Sequence, residues 1–228
     1  MRAGVPVNAD PSKLAVVDTN ALPWDATEHP GVSRKVMEFV SDPKKGRETA
    51  LLKFDSGAAL RAQVLAERLD LFVIEGELID GDLQYSAETY VRIPPGLTFA
   101  PQSRGGCTIL AKWRTPIHPE TAGERVIIDT KAAQWLDFPA RGATILHLYK
   151  NVDGIETARI GNVYPHRKLP RHTHSIGEET FVLEGALIDE YATYSAGVWF
   201  RMPCDCPHAP YTAEKNAKMI IREGDLIW

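Results

Sequence analysis

FVIEGELIDGDLQYSAETYVRIPPGLTFAP, Phe72 to Pro101, and FVLEGALIDEYATYSAGVWFRMPCDCPHAP, Phe181 to Pro210, lie over one another at a constant offset of 109, with 14 identities in 30 ungapped positions. The likeness continues upstream, where Glu48-Thr49-Ala50 matches Glu156-Thr157-Ala158 once a single residue is inserted. Half of a 228-residue chain is 114, so the protein is one unit written twice. Thr115-Pro116-Ile117-His118-Pro119 should hold the seam, because two prolines interrupt any regular element there. The expected domains are residues 1–115 and 116–228.

Within each copy, short apolar or alternating runs (Ala50–Phe54, Leu71–Ile74, Thr89–Ile93, Thr108–Trp113) are separated by Gly, Pro, Asp and Ser clusters. Equivalent turns fall at Glu75-Gly76 and Glu184-Gly185. The spacing predicts a single short helix over Ser33–Val40, with Ser33 as its cap and Val36, Phe39 and Val40 as its apolar face. Two repeats this poor in helix predict an all-β protein of paired small barrels or double-sheet jelly rolls.

Composition excludes several functions. With 44% hydrophobic and 25% charged residues, the chain has the texture of a globular protein. No apolar run exceeds four residues, well short of the ~20 that a bilayer core requires, and MRAGVPVNAD at the N-terminus has no secretion-signal core. A net charge of -4 gives no general attraction to phosphate backbones or anionic lipid, so neither nucleic acid nor membrane is the expected partner. Three cysteines, Cys107, Cys204 and Cys206, form a sparse, odd set that fits reduced thiols in the cytoplasm.

The chemistry concentrates in the second copy. Arg171-His172-Thr173-His174-Ser175-Ile176-Gly177-Glu178-Glu179 is followed 29 residues after Glu179 by His208. In extended chain, residues i and i+2 share a face, so His172 and His174 project together. Glu178 begins the next strand, and His208 reaches in after the turn at Pro203. Three imidazoles and a carboxylate suit a divalent first-row metal. Glu179 is the alternative carboxylate. Cys204-Asp205-Cys206 lacks the second cysteine pair of a zinc knuckle, although Cys206, two residues from His208, could face the site. His29, His118, His147 and His166 have no ligand spacing, and Arg201, matched by Arg92, reads as half of a structural ion pair.

His172-x-His174-x3-Glu178-x6-Gly185 followed by Gly197-x5-Pro203-x4-His208 resembles the two motifs of the cupin superfamily, with Asp205 standing where glycine is usual. Gly177 to Pro210 resembles, more narrowly, the cupin domain of the ChrR anti-sigma factors and their enzyme-like relatives. The first repeat resembles it too, which makes the chain a bicupin of two tandem RmlC-like jelly-roll barrels. The resemblance implies metal ligation by His172, His174, Glu178 and His208. At the offset of 109 these positions become Gln63, Leu65, Leu69 and Phe99, so one divalent metal (Fe, Zn, Ni or Mn) is expected per chain, with none in the first barrel. It further implies a non-haem dioxygenase cleaving a small diketone or hydroxyketone, or a metal-dependent sensor of oxidative stress. The amino-terminal zinc-bearing domain that grips a sigma factor is missing from this sequence, so a small-molecule ligand is expected and a sigma factor is not. Exposed sheet edges make a homodimer the expected assembly.

Overall fold

The computed structural model describes residues 5–42, 46–114, 123–151 and 153–224. The predicted seam at Thr115–Pro119 lies outside them. The chain forms two compact units, one of residues 1–9 and 22–132, the other of residues 10–21 and 133–228. Each is a strand-built barrel. Among the described residues there is no α-helix, only one 3-10 turn at Pro139–Arg141, and no helix is long and apolar enough to cross a membrane.

In the first unit the main sheet runs Val126–Asp129, Thr89–Ile93, Arg68–Asp80, Cys107–Arg114, Arg47–Phe54, Val32–Val40 and Asp25–Ala26. The long strand Arg68–Asp80 also pairs, in its second half, with Leu83–Ser86 and Pro101–Gln102. A small sheet of Gln63–Val64 with Thr98–Phe99 lies beside it. Alternate residues point inward and bury Leu52, Phe54, Leu69, Leu71, Val91, Ile93, Ile109 and Ala111 as one core. The second unit repeats the order as Ala15–Asp18, Val198–Met202, Glu178–Ile188, Ala217–Glu223, Thr157–Val163, Ala143–Lys150 and Leu136–Phe138. Its core holds Val182, Tyr194, Phe200, Met202 and Met219.

The expected helix at Ser33–Val40 is instead the strand Val32–Val40, paired antiparallel with Arg47–Phe54. Its register slips between Val36 and Glu38. The extra residue of a bulge turns a period of two into the three- and four-residue spacings that mimic a helical face. Valines at 32, 36 and 40 favour the strand.

The units do not follow the repeat boundary. Ala15–Asp18, from the first repeat, is the edge strand of the second unit, pairing with Val198–Met202. Val126–Asp129, from the second, pairs with Thr89–Ile93 in the first unit. The same anchor fixes both. Thr19 donates from its N–H (3.1 Å) and hydroxyl (2.6 Å) to the Gly197 carbonyl, and Thr130 does so at 3.1 and 2.7 Å to that of Glu88. Arg201, fully buried, adds donations to the carbonyls of Asp10 (2.5 Å) and Lys13 (3.3 Å).

A candidate metal centre in the second barrel

Three segments carry the four predicted residues. His172 lies in an isolated antiparallel bridge with His208, each donating its N–H to the other's carbonyl at 3.0 Å. His174 follows, and the turn at Gly177 (φ +70°) delivers Glu178 as the first residue of its strand. Asp205, where the motif usually has glycine, adopts φ +57°. A short Asp side chain tolerates this left-handed region, so the turn before His208 keeps its glycine-like path.

His208 Nε2 lies 3.2 Å from His172 Nε2 and 3.2 Å from His174 Nε2. Glu178 Oε2 lies 3.2 Å from His174 Nε2. Ligand atoms about 2.1 Å from one cation stand about 3.0 Å apart at right angles and about 3.4 Å apart at the tetrahedral angle. The observed spacing falls between the two, so the three imidazoles fit a single ion, while Glu178 falls in a second potential ligand cluster, with His174 and Glu223, that shares His174 with the first. Glu178 Oε1 is held by the Thr180 hydroxyl at 3.0 Å.

The other nitrogen of every imidazole is occupied by an acceptor. His172 Nδ1 donates to the Pro170 carbonyl at 2.8 Å, His174 Nδ1 to Glu223 Oε1 at 2.8 Å, and His208 Nδ1 to Asp189 Oδ2 at 3.2 Å. A carbonyl only accepts, so the His172 proton is on Nδ1 and its Nε2 lone pair faces inward; the carboxylates set the same tautomer in the other two rings. Burial and the neighbouring imidazoles push His172 below its ordinary pKa. For His174 burial acts downward too, but the hydrogen bond to Glu223 and the charge of Glu178 outweigh it and raise the ring. Asp189, despite burial, is held below the usual carboxylate range by His208, the Tyr191 and Ala192 amides and Tyr194. Glu223 is held far below it, against its burial, by His174 and by Arg159.

Glu179 points elsewhere: its Oε1 accepts the Trp199 indole N–H at 3.0 Å and lies 3.9 Å from Arg222. Cys206 Sγ rests 3.6 Å from Tyr191 Oη, and the metal-competent clusters among the described residues contain no cysteine. In the first barrel Gln63 pairs with Phe99, the register counterpart of His172 with His208, while Leu65, Leu69 and Phe99 are buried in the core. Asp189, Glu223 and Arg159 escaped the sequence reading. Asp189 was legible as the polar end of an apolar strand, matched by Asp80; Glu223 and Arg159 come from strands remote from the histidine motif and carry no local signal.

A family model described as the ChrR cupin-like domain matches the chain twice, over residues 12–115 and 123–226. No curated protein matches it in sequence. Among solved structures, a Nostoc punctiforme protein provisionally assigned as a dioxygenase superposes with a TM-score of 0.76 at 17% identity, over 93% of this chain and 82% of that one. A Pseudomonas aeruginosa protein provisionally assigned as glyoxylate-induced gives 0.76 at 16%, over 98% and 92%. Oxalate decarboxylase of Bacillus subtilis, which has Mn(II) centres, gives 0.68 at 10%, over 99% and 79%. At these identities the likeness speaks for the fold alone.

Proposed function

The chain belongs to the ChrR cupin-like family, in two tandem copies, and on that premise we propose that its second barrel holds one divalent first-row cation on His172, His174, Glu178 and His208 and that the protein is a dioxygenase of small diketones or hydroxyketones. The observation that carries the metal reading is the convergence of imidazole Nε2 atoms at 3.2 Å while their Nδ1 atoms are engaged outward. Lone pairs brought this close repel one another unless a proton or a metal cation lies between them. Charge supports the same reading. Glu178 and Glu223 face the Arg159 guanidinium and Asp189 faces the His208 imidazole, so in these contacts three carboxylates meet one fixed positive charge, a deficit of two that a dication neutralises in a largely buried cluster.

Imidazole with carboxylate suits Fe, Mn, Ni or Zn. Such a cation, when bound, supplies Lewis acidity toward the paired oxygens of a dicarbonyl compound and, if iron, a route for electrons to dioxygen. The chain's own residues do the positioning. Pro170, Glu223 and Asp189 fix the ring orientations, and Arg159, 3.9 Å from Glu178, offsets carboxylate charge. His172 is the least buried of the four and marks the side from which a small molecule enters.

The test combines metal analysis with oxygen uptake. Bound iron and consumption of O2 on adding 2,4-pentanedione or a hydroxyketone support the dioxygenase. The family match favours a second reading, a metal-dependent sensing module; inert bound zinc with no uptake across a substrate panel selects it. H172A and H174A are each expected to abolish metal binding, and retention of metal by either variant overturns the site.

A further inference from the structure

We infer that Glu223, locked in place by Arg159, is the positioning residue that aims His174 at the proposed cation, an inference that rests on the metal reading above. Glu223 Oε1 accepts His174 Nδ1–H at 2.8 Å. Arg159 grips the same carboxylate with both amino groups, Nη1 to Oε2 at 2.7 Å and Nη2 to Oε1 at 3.1 Å, and the Thr157 hydroxyl donates to Oε2 at 3.3 Å. A two-point guanidinium–carboxylate pair fixes the carboxylate plane, not only its position. The ring it holds can therefore present Nε2 in one direction only.

The first barrel is an internal control. Strand pairing sets Glu223 opposite Glu178 in the second unit and Trp113 opposite Leu69 in the first. Arg159 lies opposite Ile221, as Ala50 lies opposite Ala111. Strand register thus sets Ala50 against Arg159, one residue on from the Ala158 that the sequence match paired with it. Where His174 stands the first barrel has Leu65, for Glu223 it has Trp113 and for Arg159 it has Ala50. The imidazole, its carboxylate and the cation that pins the carboxylate are absent together.

Asp189 behaves differently. Its counterpart Asp80 is kept in the first barrel, where no imidazole needs it, and accepts the Ala100 N–H (2.7 Å) and Arg125 (2.9 Å). The aspartate therefore goes with the fold, and the Glu223–Arg159 pair goes with the site.

Cobalt(II) titration of the chelator-treated full chain tests the assignment, with affinity and the visible d–d spectrum as readouts. E223A is expected to weaken Co2+ binding about 10–100-fold. E223Q, whose amide oxygen still accepts from Nδ1, should lose less and leave the spectrum unchanged, because the ligands are the same. R159M should weaken binding, and in chelator it should also unfold at a lower temperature, because Glu178 and Glu223 lose their guanidinium. Wild-type affinity in E223A overturns the inference, and so does an altered spectrum in E223Q, which would make Glu223 a direct ligand. Should E223A fail to fold, E223Q and R159M decide the matter by the same readouts. A wild-type chain that takes up no cobalt refutes the metal reading itself, whereas loss of binding in H174A with none in the Glu223 and Arg159 variants refutes only the positioning role.

Discussion

Phe99 and His208 occupy the same place in the two barrels, and replacing each by alanine should have opposite signatures. Phe99 is fully buried in the first core. Removing a ring there costs about 3–5 kcal/mol in transfer and cavity terms, which at about 2–4 °C per kcal/mol lowers Tm by about 6–20 °C. His208 is 1% exposed, but in metal-free protein its removal leaves Asp189 with Tyr194 and two backbone amides, so the loss is about 1–3 kcal/mol. With free metal at 100 times its Kd, binding adds about 2.7 kcal/mol to the wild type. F99A should retain that increment in full, and H208A should lose it. Calorimetric unfolding with chelator and with added Zn2+ measures all four quantities. A full metal increment in H208A, or a shift below 1 kcal/mol in F99A, would refute the assignment of one centre to metal and the other to core.

Elemental analysis should find one metal per chain; a value near two would mean that the first barrel binds as well. Gly185 has φ +70°, and a Cβ built there meets the Asn216 carbonyl oxygen at 1.7 Å, so G185A should cost several kcal/mol and sharply reduce soluble yield. G76A, whose Cβ would meet the Gly106 carbonyl oxygen at 2.2 Å, should do the same in the first barrel. Burial pushes the Cys107 thiol above its ordinary pKa, so in folded protein iodoacetamide should label exposed Cys204 first and Cys107 last, as peptide mass spectrometry would show. Equal labelling rates would contradict the packing of Cys107. The Tyr85 hydroxyl, pushed up to about 12 by burial and by Asp80, should ionise above the ordinary tyrosine range in an alkaline absorbance titration.

The repeat and the histidine spacing were legible because both are written as fixed distances along the chain: an offset of 109 and the x3 between His174 and Glu178. A bulge has no such signature, and the strand at Val32–Val40 therefore read as a helix. Nor does strand exchange: Ala15–Asp18 looks like any short apolar run, and only its partner, in the other repeat, distinguishes it. Glu223 illustrates the same limit within the site. Its contact with His174 spans 49 residues, and a lone glutamate on a terminal strand reads as solvated until the opposing strands are in register.

The exchanged edge strands also set an order of events during synthesis. Thr19 must wait for Gly197, 178 residues later, before its anchor exists. At about 5–20 residues per second, the N-terminal strand spends roughly 9–36 s as an unpaired edge. The barrel that carries the candidate metal centre is therefore closed by a strand made long before its partner, Val198–Met202. For that interval the nascent protein depends on whatever keeps Ala15–Asp18 from pairing with a neighbour on the same messenger.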